Sequence, residues 1–299
     1  MLPKKEIVNF KKLKVKSATK VLLKDHPTGY EGTTHGKKEA EALLQESLKQ
    51  LSVIQDKLYA YNKLGVLIIF QAMDAAGKDG AVKHVMSGLN PQGVKVCSFK
   101  APNALELDHH FLWRHQIALP ARGEIAIHNR SHYENVLITR VHPELILNEK
   151  LPAIDSVDKI DESFWQMRLR QINSFEKTLV ENGTVILKFF LHLSKNEQKK
   201  RFLERIENPA KNWKFSAGDI KEREYWKCYQ QAYEKAIQAT STDDAPWFII
   251  PADDKWYARL AIASIIHQQF NKLEIDYPVL DKDQKKELSF AKAELQKQF

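Results

Sequence analysis

Apolar residues in the first part of the chain recur at helical spacing between charged side chains. Between His35 and Tyr61 they fall on one face of a helix, because residues three and four apart share a face. The apolar positions of this face are Leu43, Leu44, Leu48, Leu51, Ile54 and Leu58. The pattern predicts a long amphipathic helix that packs on a larger core.

From Leu64 onward, short apolar runs alternate with helical segments. The runs predict strands at Gly65–Gln71, Val94–Phe99, Glu124–His128, Thr184–Leu191 and Trp247–Pro251, each of the uninterrupted kind that is buried on both faces. Between and after them we expect helices at Gly80–Leu89, Asn103–Gln116, Asp161–Glu181, Lys195–Glu207, Asp219–Thr240 and Asp254–Leu273. This alternation predicts an α/β fold with a five-stranded parallel sheet flanked by helices.

Composition narrows the class of protein. The chain has 299 residues and is 43% hydrophobic, enough for one large core in place of several small domains. Its two cysteines, Cys97 and Cys228, form neither a disulfide framework nor a metal-binding pattern, so we expect a reducing cytoplasm. The start of the chain lacks an apolar stretch of signal-peptide length, and no run is long enough to span a membrane.

The positive charge is concentrated at the start of the chain. Residues 1–24 contain eight lysines and one acidic residue, Glu6, so they carry almost all of the net charge of +8. We therefore divide the chain into a basic extension (1–30), one main domain (31–275) and a C-terminal tail (276–299). Two interpretations of the extension stay open: a solvated segment that serves solubility, or an arm that meets a polyanion such as nucleic acid, anionic lipid or polyphosphate.

A candidate phosphate-binding loop follows the first predicted strand. That strand continues into Ala72-Met73-Asp74-Ala75-Ala76-Gly77-Lys78-Asp79-Gly80 and then into a helix. In a P-loop, backbone N–H groups at a helix start hold phosphate oxygens and the lysine reaches the transferred phosphoryl group. The usual GxxxxGK[ST] pattern is broken at Ala72 and at Asp79, where a hydroxyl would hold Mg²⁺. We expect Asp74 to be the principal metal ligand instead, because a carboxylate suits Mg²⁺.

A second polar segment, Asn129-Arg130-Ser131-His132-Tyr133-Glu134, follows the third predicted strand. Ligands of doubly wound sheets bind beyond the carboxyl ends of adjacent strands, so this segment should face the P-loop. The nucleotide- and phosphate-binding candidates from the two segments are Ala75, Ala76, Gly77, Lys78, Asp79, Gly80, Asn129, Arg130, Tyr133 and Glu134.

Together these two segments resemble the signature pair of the polyphosphate kinase 2 family. Further segments fit that family in order: Arg201-Phe202 with Arg205, Asn208-Pro209 with Trp213-Lys214, Ala245-Pro246-Trp247, Asp253-Asp254-Lys255 and Ala258-Arg259-Leu260. The resemblance covers roughly residues 30–275. It implies a P-loop kinase fold, Mg²⁺ as cofactor, a helical lid at about 201–225, homo-oligomers, and reversible phosphoryl transfer between inorganic polyphosphate and a nucleotide.

One position departs from the family pattern. Many members carry Asp where this chain has Asn129, and an amide cannot neutralise a cation. Either Asp74 holds the metal largely alone, or Glu134 contributes. The form of this segment resembles the subgroup that accepts both AMP and ADP, and selectivity between adenine and guanine stays open.

Phosphoryl transfer needs cations that neutralise the moving group more than it needs covalent catalysis. We expect Asp74, Lys78 and Arg130 to be catalytic, with Lys78 on the transferred phosphate and Arg130 as a bidentate clamp. Arg201 and Arg205 would close over the site from the lid. The candidates for the polyphosphate path are Lys83, Lys100, Arg114, Arg168 and Lys214.

Two alternative functions compete with this interpretation. An ATP-dependent nucleoside monophosphate kinase would share the P-loop and the arginine-rich lid, but Asp79 replaces the hydroxyl that ATP-dependent P-loop enzymes normally keep. A nucleic-acid-binding NTPase would use the basic extension. The remainder of the chain is nearly neutral and has no recognisable nucleic-acid module, so we expect no specific nucleic-acid partner.

Overall fold

The structure is a computed structural model that describes residues 8–32 and 36–298. Its centre is a parallel sheet of five strands in the order β2-β3-β1-β4-β5. The strands are β1 (Gly65–Ala72), β2 (Val94–Ser98), β3 (Ile125–Asn129), β4 (Thr184–His192) and β5 (Trp247–Pro251). The predicted fold class is therefore confirmed, and each predicted strand overlaps an observed one.

Helices cover both faces of the sheet. They are α1 (Phe10–Leu13), α2 (Lys37–Tyr61), α3 (Lys78–Val85), α4 (Ala104–Leu107), α5 (Trp113–Gln116), α6 (Glu134–Val141), α7 (Glu162–Glu181), α8 (Lys195–Glu207), α9 (Ala217–Glu222), α10 (Trp226–Thr240), α11 (Lys255–Asn271) and α12 (Lys282–Gln296). Short 3₁₀ turns lie at Leu23–Asp25, Pro91–Gly93, Pro143–Glu149, Val157–Lys159, Pro209–Lys214 and Arg223–Tyr225.

The core forms two apolar layers, one on each side of the sheet. Successive side chains of a strand point to opposite faces, so β1 contributes to both layers. Val66, Ile68 and Phe70 pack with α2, α3 and α11, whereas Leu67 and Ile69 pack with α6, α7 and α10. All eight residues of β1 are buried, which is why the strand reads as one continuous apolar run.

The structure corrects three details of the predicted elements. Strand β2 is an edge strand, and its residues are exposed or half-buried, so its apolar run does not mark burial on both faces. The predicted helix 103–116 is two short helices, the first closed by a capping box between Asn103 and Glu106. The predicted helix 219–240 begins instead at a Ser216 cap and is interrupted by the 3₁₀ turn before α10.

The periodicity missed two helices of eight residues or more, α6 and α12. Ser194 caps α8 by accepting a hydrogen bond from Glu197 N at 3.1 Å. Asp254 precedes α11, but its carboxylate accepts from Tyr30 N at 2.9 Å and does not cap the helix. The predicted start of the long helix at His35 lies outside the described residues, and α2 begins at Lys37.

The N-terminal segment packs along the open edge of β5. Val15 N donates to Trp247 O at 2.9 Å, and Lys14 forms an antiparallel bridge with Phe248. The apolar side chains of the segment are buried: Val8, Leu13, Val15, Val21 and Leu23. Its described lysines are exposed except Lys14, which is half-buried. Residues 8–30 therefore belong to the folded body and cover a sheet edge that would otherwise be unpaired.

Lys4 and Lys5 of the basic extension lie outside the described residues, so a polyanion-binding arm stays a prediction. In the part of the chain that the structure describes, no helix is both long and apolar enough to cross a bilayer.

Candidate active site

The P-loop connects β1 to α3 at the carboxyl end of the sheet. Ala75 and Gly77 both have positive φ, +61° and +96°, and this left-handed backbone is the reason a glycine suits position 77. Lys78 begins the helix, and its Nζ donates to Ala72 O at 2.8 Å, which folds the side chain back over the loop. The predicted strand, loop and helix are therefore confirmed despite the two departures from the usual pattern.

The P-loop is held from outside by Arg201 of α8. Its Nη1 donates to Ala75 O at 3.0 Å and to Ala76 O at 2.9 Å. Its Nη2 donates to Ala252 O at 2.7 Å and to Asp253 O at 2.9 Å, in the loop after β5. The remaining N–H, on Nε, donates to Glu197 at 2.9 Å. All five donors of the guanidinium are thus engaged by the protein.

This geometry changes the predicted role of Arg201. The side chain is buried and lines the site, but it has no free donor with which to close over a phosphate. It joins α8, the P-loop and the loop after β5, and so fixes the backbone of the phosphate site. Arg205, one turn further on, instead pairs loosely with Asp219 of α9 at 3.3 Å and lines the site.

Arg130 stands at the carboxyl end of the neighbouring strand, facing the P-loop as predicted. Its φ is +63°, an uncommon value for a residue with a side chain, and its N donates to Phe70 O at 3.0 Å. The guanidinium bonds to Asp74 Oδ1 at 3.1 Å and lies 3.8 Å from Glu134 Oε2. Glu134 and Asp74 raise the pKa of Arg130 against the effect of burial, so the guanidinium stays cationic.

A cleft of about 700 Å³ opens over the P-loop. Among the residues that the structure describes, its lining holds nine basic side chains against three acidic ones, Asp74, Asp79 and Glu204. The basic side chains are Lys78, Lys100, Arg130, Arg201, Arg205, Lys211, Lys214, Lys255 and Arg259. The charge and the P-loop together suit a ligand with several phosphate groups.

Three basic side chains that line the cleft are not among the site residues predicted from the sequence. Lys255 and Arg259 lie on the first turns of α11, and Lys211 lies in the 3₁₀ turn after α8. The sequence carried a signal for Lys255 and Arg259, because both fall in segments that fit the family pattern. Lys211 had no such signal.

Three candidates for the polyphosphate path lie elsewhere. Lys83 is exposed on α3 and does not line the cleft. Arg114 pairs with Glu106 at 2.9 Å and lines a neighbouring cavity. Arg168 is 4% exposed, forms an ion pair with Glu149 and packs against aromatic rings. The two arginines are therefore engaged in ion pairs that the sequence does not display.

Tyr133 was predicted to bind nucleotide or phosphate, but the structure does not bring it to the cleft. Its ring is fully buried, and its hydroxyl donates to Glu176 Oε1 at 2.7 Å. Burial raises the pKa of Tyr133 well above its ordinary value, and the adjacent Glu176 carboxylate adds to this. Tyr133 is therefore a protonated core residue beneath the turn that carries Arg130.

The position that departs from the family pattern faces the P-loop. Asn129 Nδ2 donates to Asp79 Oδ1 at 2.7 Å, so two of the three residues that break the expected patterns contact each other. The amide oxygen of Asn129 is buried and has no hydrogen-bond partner among the described residues. An orphaned oxygen beside a carboxylate, at the edge of a phosphate cleft, has the chemistry of a ligand for a hard cation or its bound water.

The residues around Lys78 shift its pKa. Burial lowers the pKa of Lys78, and the nearby Arg130 guanidinium lowers it further. The carboxylates of Asp74, Glu134 and Asp79 oppose this shift. Since a bound phosphate adds negative charge at the same place, occupancy of the cleft favours the ammonium form that phosphoryl transfer requires.

A P-loop at the end of a parallel sheet, opposite a strand-end arginine and beneath an arginine-bearing helix, defines a phosphotransferase of the P-loop kinase class. Comparison with known proteins identifies the family. The sequence model of the family described as "Polyphosphate kinase 2 (PPK2)" matches residues 34–278. The chain belongs to the polyphosphate kinase 2 family.

Named relatives and a solved structure agree with this assignment. The chain is 49% identical over 281 residues to an ADP-polyphosphate phosphotransferase of Rhodopseudomonas palustris, covering 94% of this chain and 96% of that protein. It is 43% identical over 254 residues to an AMP/ADP-polyphosphate phosphotransferase of Meiothermus ruber, covering 85% and 88%. The crystal structure of polyphosphate kinase 2 from Arthrobacter aurescens superimposes with a TM-score of 0.79 at 40% identity, covering 87% and 88%.

Proposed function

We propose that this phosphotransferase moves a phosphoryl group reversibly between inorganic polyphosphate and the nucleotides AMP and ADP, forming ADP and ATP. The observation that supports it best is the cleft over the P-loop, whose nine basic side chains suit a long phosphate chain better than a single nucleotide. Polyphosphate carries about one negative charge per phosphate, so spaced cations are the lining it needs. The names of the relatives agree with this donor and these acceptors.

The roles of the central residues follow from their positions. Lys78 neutralises the transferred phosphoryl group, and Arg130 holds a phosphate of the acceptor across the cleft. Asp74 bonds to Arg130 and shares the phosphate site with Lys78, so it can orient both the guanidinium and the attacking phosphate oxygen. Catalysis then consists of positioning and charge neutralisation.

An acceptor nucleoside fits a second cavity of about 260 Å³ that adjoins the cleft. The two cavities share Phe99, Lys100, Ala101 and Arg130. Its lining combines apolar groups, including Phe111 and Ile138, with charged side chains such as Glu106, Arg114 and Glu149. Nucleobases favour such a lining, and Arg130 at the junction would hold the acceptor's phosphate toward Lys78.

Replacing Ile138 with alanine should weaken nucleotide use and spare the donor. Loss of apolar contact in the nucleoside cavity is worth on the order of 1–3 kcal/mol. We expect kcat/KM for AMP and ADP to fall at least about tenfold, with KM for polyphosphate unchanged. The control is Leu105→Ala, an exposed residue that lines neither cavity. A selective rise in the polyphosphate KM would instead place the donor in this cavity.

Phosphotransferases of this kind generally use a divalent metal, and the residues present suit Mg²⁺. No cluster of three or more His, Cys, Asp or Glu that could hold a metal occurs in residues 8–32 and 36–298. Mg²⁺ commonly binds through one or two protein oxygens plus substrate phosphates, so Asp74 and the free Asn129 oxygen suffice. When bound, the ion would neutralise charge on the phosphate chain. Glu134 lines the nucleoside cavity and is less suited to it.

Changing Asn129 to Asp tests the metal side of the cleft. The new carboxylate would stand where the amide now donates to Asp79 at 2.7 Å, so two like charges would meet unless a cation joins them. We expect half-maximal activity at an Mg²⁺ concentration at least about threefold lower, because a carboxylate is a stronger ligand than an amide oxygen. Asn182→Asp, at the remote end of α7, is the control. An unchanged Mg²⁺ dependence would show that position 129 does not face the metal.

The function itself is tested by the choice of donor. With Mg²⁺ present, long-chain polyphosphate plus ADP should yield ATP, and polyphosphate plus AMP should yield ADP and then ATP. ATP plus AMP is run in parallel. If ATP serves as donor and polyphosphate does not, the protein is an ordinary nucleoside monophosphate kinase. Activity that depends on nucleic acid would favour a nucleic-acid-binding NTPase. Guanine nucleotides in the same assay measure base selectivity.

Location and assembly are part of the proposal. Both cysteines are free, and nucleotide substrates occur inside the cell, so we place the protein in the cytoplasm. The family resemblance implies homo-oligomers. Light scattering, which measures molar mass in solution, would detect them.

A further inference from the structure

A buried ion pair joins Lys188 of β4 to Glu176 of α7, outside the cleft. Lys188 of β4 is fully buried, and its Nζ donates three hydrogen bonds. The acceptors are Glu176 Oε2 at 2.5 Å, Thr240 O at 2.7 Å and Tyr133 Oη at 3.1 Å. An ammonium group has three donors, so this one is saturated. None of these residues lines the phosphate cleft.

The other oxygen of Glu176 reaches the segment that carries Arg130. Glu176 Oε1 accepts from Tyr133 Oη at 2.7 Å and from His132 Nε2 at 3.2 Å. Burial opposes the charged form of Glu176, but Lys188 and the hydrogen bond from His132 hold the pKa of Glu176 below its ordinary value. The carboxylate therefore anchors two consecutive side chains of the β3–α6 turn in the core.

The turn itself needs anchoring. Arg130 adopts a φ of +63°, which costs a residue with a side chain on the order of 1–3 kcal/mol and persists only when its surroundings enforce it. Toward β1, Arg130 N donates to Phe70 O, and within the turn Tyr133 N donates to Ser131 Oγ at 3.3 Å. Toward α7, the turn is anchored by the hydrogen bonds of the His132 and Tyr133 side chains to Glu176.

Stability alone is a weak reason for a buried ion pair. Apolar side chains of similar volume often give equal or greater stability, because removing two charges from water is costly. What an apolar core cannot provide is a directional acceptor for the Tyr133 hydroxyl and the His132 ring. The pair fixes a geometry that hydrophobic packing would leave loose.

We infer that the Lys188–Glu176 pair is a positioning element for phosphoryl transfer: through Tyr133 and His132 it fixes the turn that aims Arg130 across the cleft. This inference rests on the proposed function for its kinetic consequence. Its structural content, the link from Glu176 to the backbone of residues 130–134, is independent of which phosphoryl donor the enzyme uses.

The test compares two double variants that both remove the buried charges. Glu176→Gln with Lys188→Met keeps an acceptor oxygen for Tyr133 and His132, whereas Glu176→Leu with Lys188→Met removes it. We expect the Leu variant to melt at the lower temperature, because the buried donors of Tyr133 and His132 lose their acceptor, and we expect both variants to remain folded in the assay. We expect kcat of the Leu variant to be at least about tenfold lower than that of the Gln variant, which should stay within about threefold of the wild type. KM for polyphosphate should change little.

Two further readouts separate positioning from general damage. Amide hydrogen exchange, measured without substrate, should quicken at residues 131–135 in the Leu variant and not in β5. In an Arg130→Ala background the difference in kcat between the two double variants should vanish, because the residue being positioned is gone. Gln55→Met removes two part-buried hydrogen bonds with Asn90, and neither residue lines the cleft, so this variant is the control for nonspecific loosening.

Equal kcat and equal exchange in the two double variants would overturn the inference. If the Leu variant does not fold, Tyr133→Phe removes the hydroxyl alone and should lower kcat several-fold, and wild-type kcat in that variant would overturn the inference as well. Failure of the proposed function is seen separately, as absence of transfer from polyphosphate by the wild-type chain. Should ATP prove to be the donor, the same variants are compared with ATP.

Discussion

Replacing Lys78 with alanine is expected to lower kcat at least about a hundredfold, with the chain still folded. In the proposed mechanism the ammonium group meets the moving phosphoryl group, where charge develops, and removing one preorganised donor of this kind costs about 2.7–4 kcal/mol of transition-state stabilisation. The fold loses only the hydrogen bond from Nζ to Ala72 O, worth about 1 kcal/mol. Steady-state kinetics with polyphosphate and ADP, together with thermal melting, measure both effects.

Lys83→Ala is the matched control, because Lys83 lies on the same helix, is exposed and is absent from the cleft lining. Its kcat should equal that of the wild type. Equal losses in the two variants would refute the placement of the phosphate chain, and near-wild-type activity of Lys78→Ala would refute the P-loop as the site of transfer.

Replacing Arg201 with lysine is expected to lower both stability and activity, although the charge is kept. Lysine has three donors in place of five and cannot bridge the P-loop carbonyls and those after β5 at once. At least two buried acceptors would lose their partner, at about 1–3 kcal/mol each. We expect a loss of roughly 2–4 kcal/mol in the free energy of unfolding and a fall in kcat of at least about tenfold.

The lysine variant separates two roles for Arg201. If the residue closed over the phosphate chain as a mobile cation, lysine would keep most of the activity and the melting temperature would not change. If it fixes the P-loop backbone, both fall together. Lys200→Ala, its exposed neighbour on α8, is the control for changes of charge on that helix. An unaltered melting temperature in Arg201→Lys would contradict the anchoring role.

These expectations share one physical basis. The P-loop of this chain lacks the usual hydroxyl, and Asp79 in its place accepts from Asn129 at 2.7 Å. The P-loop is instead held by side chains from two other segments: Arg201 of α8, and Asn129 and Arg130 at the end of β3. A preorganised cleft lowers the cost of reorganisation during transfer, which is where enzymes of this class gain most of their rate.

Much of the fold was readable from the sequence because the strands are buried on both faces. A parallel strand covered by helices on each side is mostly apolar, so β1 stands out as a long apolar run and β4 as two apolar runs on either side of the buried Lys188. The P-loop was readable for a related reason, since Gly77 and Lys78 must stand between a strand and a helix to hold phosphate. Edge strand β2 shows the limit, because its similar run is largely exposed.

The direction of the arginine side chains was not readable. Arg130 and Arg168 are the same residue type, yet one faces the cleft and the other is buried against Glu149 and two aromatic rings. The carboxylates that accept from them, Asp74 for Arg130 and Glu149 for Arg168, lie 56 and 19 residues away in the sequence, and periodicity contains no information about such pairs. The same holds for Tyr133, whose motif position suggested the site while its hydroxyl lies on Glu176 of another helix.

The sequence by itself determined the sheet, the P-loop and the family, because each depends on local order: apolar runs, the strand–loop–helix context and motifs in fixed succession. Only the tertiary structure decided which cations line the cleft, that Arg201 anchors the loop, and that Lys14 and Val15 pair with the edge of β5. Those properties depend on contacts between distant segments. They are decided by burial and hydrogen-bond pairing when the whole chain packs.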